Sequence, residues 1–232
     1  DLVFGVPYLS STYTDEGGAS VLLSTASGAT SLSTSAIELT GTEADGVAGS
    51  SIAMLGDLDA DGYDDFIVGA PGESSSTSVE VGHAYLVLGD TGITPGSLGP
   101  GLGLKIRGTS ANERFGETVA WLGDVNADGV DDFAVGAPGY DYGSDTDVGR
   151  VYFFSGAASA SSGTRVATTL TSTNRIGTDD GDEFGFAIAG GADVDQVAGA
   201  SPSYDDVVVG APFEDDGADA DVGVVDFFSG NS

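Results

Sequence analysis

The chain has 232 residues, 40% of them hydrophobic, which is enough to bury a core as one all-β domain or two small ones. Its 37 Asp and Glu against 6 Lys and Arg leave a net charge of -31, which repels nucleic-acid phosphates and anionic lipid heads and makes bound cations the first expectation. Without Cys there is no disulfide framework, zinc thiolate or Cys nucleophile, and no run reaches the roughly 18 apolar residues of a membrane span.

The N-terminal stretch DLVFGVPYLS has neither the basic nor the long apolar region of a signal peptide, as is also true of secreted proteins whose signal has been removed. DLVFGVPY reads instead as a truncated copy of a unit that returns later. A strand at Ala19–Leu23 and a more polar one at Ala36–Leu39 follow. Ala48-Gly49 then precedes a strand at Ser51–Leu55, the acidic loop GDLDADGYDD from Gly56, and a strand at Asp65–Gly69 that runs into Ala-Pro, where proline stops the ladder. His83–Leu88 and Leu104–Arg107 complete this set. Phe115-Gly116 opens the next: Val119–Leu122, the loop GDVNADGVDD from Gly123, Asp132–Gly136, Arg150–Phe154 and Thr168–Thr171. Phe184-Gly185 opens the last, with Phe186–Ala189, Asp206–Gly210 and Val224–Phe228.

The glycines Gly5, Gly69, Gly136 and Gly210 mark the repeat, at spacings of 64, 67 and 74 residues, which suits one four-stranded propeller blade with long loops. Alternation of period two, with no sustained 3.6-residue period, makes the fold class all-β: a β-propeller of four-stranded antiparallel blades, about three and a half of them. The expected boundaries are 1–41 for a partial first blade, 42–108 for the second, 109–173 for the third and 174–232 for the fourth. The small residues of Val-Gly-Ala-Pro are expected where inner strands of neighbouring blades crowd together. The fourth strand of each blade is expected at an outer edge, its charges guarding against pairing.

Phe-Gly, a DxDxDGxxD loop and Val-Gly-Ala-Pro in one repeat resemble the FG-GAP repeats that form the propeller of integrin α-subunits and of many bacterial surface proteins. In the first loop Asp57, Asp59, Asp61 and Asp65 occupy positions 1, 3, 5 and 9, with Gly62 free to take a positive φ. Carboxylates converging this closely repel unless a hard divalent cation binds them, and calcium accepts six to eight oxygens in flexible geometry. The resemblance implies that the Tyr63 carbonyl ligates as well. The second loop matches through Asp124, Asn126, Asp128, Val130 and Asp132, with the neutral Asn126 predicting somewhat weaker binding. An EF-hand is excluded because its position-12 Glu is here Val68 or Val135, inside a strand. The third copy keeps Asp193, Asp195 and Asp206 around an insertion, and is either a weak third site or a loop that has lost its ion. Two Ca2+ sites are therefore expected, with a degenerate third.

A second acidic series falls between later strands, at Glu73, Glu80, Asp141, Asp145, Asp147, Glu214, Asp215, Asp216, Asp219 and Asp221, and reads as a solvated rim. Tyr85, Tyr152, Phe153-Phe154 and Phe227-Phe228 read as blade packing, and Trp121 as core beside Met54 and Ile188. The one histidine, His83, aligns with Arg150 and Val224 in a structural slot, and no nucleophile elbow or phosphate loop is present, so an enzyme is not expected. The resemblance implies a calcium-binding extracellular module for adhesion or protein interaction, with a protein or glycan ligand on the propeller loop face. The alternative is a lectin-like propeller or an accessory domain of a secreted polysaccharide-degrading enzyme. So few blades are expected to be a fragment of a longer protein, or one partner in a ring completed by another chain or segment.

Overall fold

A computed structural model describes residues 1–23, 36–59, 61–74, 79–90, 92–99, 102–156, 168–169, 175–194, 204–215 and 221–230. Every regular element among them is a strand: β1 (Leu2–Gly5), β2 (Gly18–Leu22), β3 (Ala36–Thr40), β4 (Ile52–Gly56), β5 (Asp65–Ala70), β6 (His83–Val87), β7 (Gly96–Ser97), β8 (Gly103–Arg107), β9 (Thr118–Gly123), β10 (Asp132–Ala137), β11 (Arg150–Ser155), β12 (Thr168–Thr169), β13 (Arg175–Ile176), β14 (Ala187–Ala192), β15 (Asp206–Ala211) and β16 (Val224–Phe228). They form four sheets, β1-β2-β3-β7, β4-β5-β6-β8, β9-β10-β11 with both β12 and β13 on β11, and β14-β15-β16. These are successive propeller blades, and the marker glycines hold one register, with Gly5, Gly69, Gly136 and Gly210 opposite Ala19, Ala84, Val151 and Val225.

In the two middle sheets, alternation along the inner strands assigns their two faces to two neighbouring sheets. In β5, Phe66, Val68 and Ala70 face the first sheet, packing with Ala19, Val21 and Leu39, while Ile67 faces the third with Phe115, Phe133 and Val135. In β10, Phe133 and Val135 turn toward the second sheet and Ala134 toward Val207 and Val209 of the fourth. The two central inner strands are consequently buried at every residue. Each apolar side chain removed from water contributes about 1.5–3 kcal/mol, so the three inter-sheet cores hold the stack together.

The sheets meet backbone to backbone at the marker glycines. A Cβ on Gly5, Gly69 or Gly136 would lie 2.0, 2.0 or 2.2 Å from the carbonyl oxygen of Gly49, Gly116 or Gly185 in the following sheet. At Gly69 and Gly136 the Gly of Val-Gly-Ala-Pro thus abuts the Gly of the next Phe-Gly, and Gly5 and Gly49 make the same contact in variant copies of the two motifs. This is why both motifs recur together, and it bears out the expected crowding of the inner strands.

The outer edge of the first sheet differs from expectation. β3 is covered by the parallel pair Gly96–Ser97, which crosses over from the segment between β6 and β8, and Leu98 N–H closes the strap on Thr40 O at 2.7 Å. An edge with charged guards was expected; a strap with the buried Leu98 as anchor takes their place.

Carboxylates bind the turns between blades. Glu113 accepts the amides of Thr109 and Ser110 and the Tyr152 hydroxyl (2.8 Å), and Asp182 accepts the amides of Thr178 and Asp179. At the matching place in the second blade stands Gly46, and Glu73 fills its room, 2.7 Å from where a Gly46 Cβ would be. Glu73 accepts from Thr42 and from the Tyr85 hydroxyl at 2.6 Å, and pairs with Lys105 at 2.9 Å. The reading of Glu73 as part of a solvated rim is therefore corrected: it is fully buried, because it replaces an acid that its repeat lacks.

Glu16 plays a related role in the first blade, taking the Ser11 hydroxyl and the amides of Ser11, Thr12 and Tyr13. Burial would raise its pKa, but these four donors outweigh that and hold it down to about 2. A depressed carboxylate stabilises the fold above its unfolded pKa near 4.5, and that contribution disappears as the pH falls from there toward 2. Glu16→Gln is expected to melt below wild type at pH 6, with the gap closing by about pH 2; a gap that does not vary with pH would rule out this role.

Candidate metal centre

The first acidic loop joins β4 to β5. A one-residue register shift just before it, between Met54 and Gly56, makes Leu55 the extra residue and turns it into the core; the same shift precedes the second loop between β9 and β10. Bulges at these points aim both loops out of their sheets.

Inside the first loop the carboxylates organise the backbone. Asp57 Oδ1 and Asp59 Oδ1 accept the Asp61 amide at 3.1 and 3.2 Å, Asp57 Oδ2 accepts Gly62 N–H at 2.9 Å, and Asp61 Oδ1 accepts Tyr63 N–H at 3.0 Å. The second loop repeats these bonds. Asp124 Oδ1 and Asn126 Oδ1 accept from Asp128 at 3.0 and 2.8 Å, Asp124 Oδ2 accepts Gly129 N–H at 2.8 Å, and Asp128 Oδ1 accepts Val130 N–H at 3.0 Å. Gly62 and Gly129 have φ of +95° and +88°, and a Cβ on either would touch nothing within 4 Å. Conformation, and not space, is what requires glycine at both positions.

One carboxylate oxygen from each of Asp57, Asp59 and Asp61 comes within 4.8 Å of the other two, at the loop surface. Among the described residues, neither Asp57 nor Asp61 pairs with a Lys or Arg; the Lys and Arg ion pairs are at Glu43, Glu73 and Glu183. Three hard oxygen donors gathered this closely suit a divalent ion such as calcium. Asn126 keeps its oxygen on the loop because its Nδ2 donates outward, to Asp132 and to the Ser155 hydroxyl.

The position-9 acids lie deeper. Asp65 Oδ2 and Oδ1 accept Leu58 and Gly89 amides at 2.9 and 2.8 Å, and Asp132 accepts those of Val125 and Gly156, both at 3.1 Å. Asp206 does the same with Val194 and Gly230, at 2.8 and 3.2 Å. Each acid pins its loop to the start of one strand and the end of another. Burial pushes Asp65 up to about 6 against the pull of its amide donors, with Asp61 and Asp57 adding to the rise. Burial likewise raises Asp132 to about 7, with Asp128 contributing. A nearby cation would remove this cost of ionisation. In the third loop Asp193 is half-buried, and Asp195 lies outside the described residues, as do Asp216 and Asp219 of the acidic rim.

Two aromatic readings change. Trp121, expected in the core, is 38% exposed, and Met54 at the matching place is 42% exposed, because the bulge turns the following leucine inward; the Trp121 indole N–H donates to Asp131 at 2.9 Å. Tyr85 and Tyr152 are buried as expected, whereas Phe227 is exposed on the outer face of the last sheet. His83 is buried with Nδ1 3.4 Å from Glu73 Oε2, out of hydrogen-bond geometry; burial, then Lys105, lowers its pKa to about 4. That setting closes it off from any substrate in solution.

Comparison with known proteins gives two matches to the FG-GAP repeat family model, at residues 48–87 and 115–154, each spanning a complete acidic loop. The chain is 36% identical over 167 residues to integrin alpha-IIb of Mus musculus, covering 70% of this chain and 14% of that protein. It is 34% identical over 185 residues to phosphatidylinositol-glycan-specific phospholipase D of Bos taurus, covering 76% and 20%. Integrin alpha-PS2 of Drosophila melanogaster is 35% identical over 160 residues, covering 67% and 11%. The chain thus spans 20% or less of the length of these relatives. No helix among the described residues is long and apolar enough to cross a membrane.

Proposed function

The chain is built of FG-GAP repeats, and from that premise we propose that it is a calcium-binding propeller module of an extracellular or cell-surface protein, serving adhesion or protein–protein interaction. The observation that carries the metal reading is the approach of Asp57, Asp59 and Asp61 oxygens to within 4.8 Å of one another. The Tyr63 carbonyl and a free lone pair of Asp65 would complete the first site, and Asp124, Asn126, Asp128, the Val130 carbonyl and Asp132 the second. Asp193, Asp195 and Asp206 would form at most a weak third. A bound ion supplies positive charge that locks these loops and neutralises part of a net charge of -31. Similarity to integrin α-subunits supports a protein partner on the loop face.

Similarity to a phosphatidylinositol-glycan-specific phospholipase D favours a second reading, a glycan-binding or accessory module within an enzyme. Calorimetric titration tests the metal reading shared by both. Calcium is expected to fill two sites, Asp61→Ala and Asp128→Ala each to remove one, and magnesium to bind more weakly at both because it demands strict octahedral geometry. No calcium heat in wild type would sink it.

A further inference from the structure

The two matched loops differ in what holds them from outside. In the fourth blade Asp205, at position 8 of the degenerate third loop, reaches across to the third blade. Its Oδ2 accepts the Asp124 amide at 2.9 Å, and its own amide donates to the Asp124 carbonyl at 3.2 Å. Asp124 is thereby gripped on both sides of its backbone by a residue 81 positions later. The approach requires a glycine just before Asp124: a Cβ on Gly123 would lie 2.0 Å from Asp205 Oδ2. The equivalent acid of the third blade, Asp131, lies beside the first loop, 3.3 Å from where a Gly56 Cβ would be, but the Trp121 indole takes its Oδ2. The fourth blade has Gly190 and Gly191 where the third has Trp121 and Leu122, so nothing of the kind competes for Asp205, and the Trp121 ring packs on Gly191.

We propose that Asp205 is a positioning residue for the second cation loop, so that ion binding at Asp124, Asn126 and Asp128 is coupled to the docking of the fourth blade on the third. This rests on the calcium reading above. Asp124 carries the first ligand and also accepts the Asp128 and Gly129 amides, so fixing its backbone fixes the whole turn. Groups that orient metal ligands from outside the coordination sphere are typically worth about 10–100-fold in affinity. The coupling is reciprocal: calcium in the second loop tightens the contact between the two blades by the same factor that the contact tightens calcium. The third loop, even if it holds no ion, retains a task through Asp205.

The test is calorimetric titration of calcium into the full chain carrying Asp61→Ala, which leaves the second loop to report alone. Adding Asp205→Ala is expected to weaken the remaining site about tenfold. Asp205→Asn keeps an acceptor oxygen for the Asp124 amide and is expected to stay close to the parent. In the opposite background, Asp128→Ala, the first loop should bind equally well with and without Asp205→Ala, which also shows that the variant is folded. An unchanged second site in Asp205→Ala, an Asn variant as weak as the Ala one, or loss of both sites together would each overturn the proposal. Those outcomes leave wild-type calcium binding intact, whereas absence of calcium heat in wild type overturns the calcium reading and this inference with it.

Discussion

Chelating calcium is expected to lower the melting temperature of this protein by about 10–20 °C. A ligand bound only by the folded state at 100 times its dissociation constant adds about 2.7 kcal/mol per site, and two sites add about 5 kcal/mol. For a domain of this size each kcal/mol shifts the midpoint by about 2–4 °C. A cation would also ease the ionisation of Asp65 and Asp132, whose pKa values burial and neighbouring carboxylates raise. Asp61→Ala removes an oxygen donor together with the acceptor of the Tyr63 amide, and should cut the response to calcium roughly in half. Melting curves in excess calcium and in chelator, for wild type, Asp61→Ala and Asp128→Ala, check this. Coincident curves in all conditions would leave the loops as turn chemistry alone.

Much of this architecture can be read from the chain because it is local and repeated. The acidic residues of each loop lie within nine positions of one another, and their bonds to backbone amides are fixed by spacing, so Asp57 through Asp65 and Asp124 through Asp132 carry their geometry in the sequence. β5, β10 and β15 are equally plain, since Val-Gly-Ala-Pro states both their packing and their end. What stays hidden is made by partners distant in sequence. Nothing near Gly46 announces that Glu73 will supply the missing acid, and only the aligned Glu113 and Asp182 hint at a vacancy there. The strap at Gly96–Ser97 has too little side chain to show a pattern. Trp121 reads as core from its apolar neighbours, but a one-residue bulge, invisible to alternation counting, exchanges its face with that of Leu122. Nothing in the sequence around Asp205 marks its bond to Asp124, which exists only once two blades are side by side.

The contact between repeats predicts a sharp contrast between two glycines in identical sequence settings. Gly136→Ala is expected to destabilise the protein by about 3 kcal/mol or more, whereas Gly210→Ala should be neutral or slightly stabilising. Both glycines sit in Val-Gly-Ala-Pro, in strands of the same register, and neither has a positive φ. Their surroundings alone differ. A Cβ at Gly136 would stand 2.2 Å from the Gly185 carbonyl oxygen, a backbone atom that cannot swing aside without moving the Phe184-Gly185 turn and the core around Phe184. At Gly210 the nearest atom among the described residues is the Ala187 Cβ at 3.6 Å, an ordinary contact, which leaves the smaller unfolded-state entropy of alanine to decide. Thermal or urea unfolding of the two variants in saturating calcium decides the matter. At about 2–4 °C per kcal/mol, Gly136→Ala should lose about 6–12 °C. Equal losses in both would mean that glycine serves the strand itself, by backbone freedom, and equal tolerance would mean that the blades can slide apart at little cost. The expected asymmetry instead locates the role of this glycine in the seam between one repeat and the next, where Gly69 against Gly116 should behave as Gly136 does.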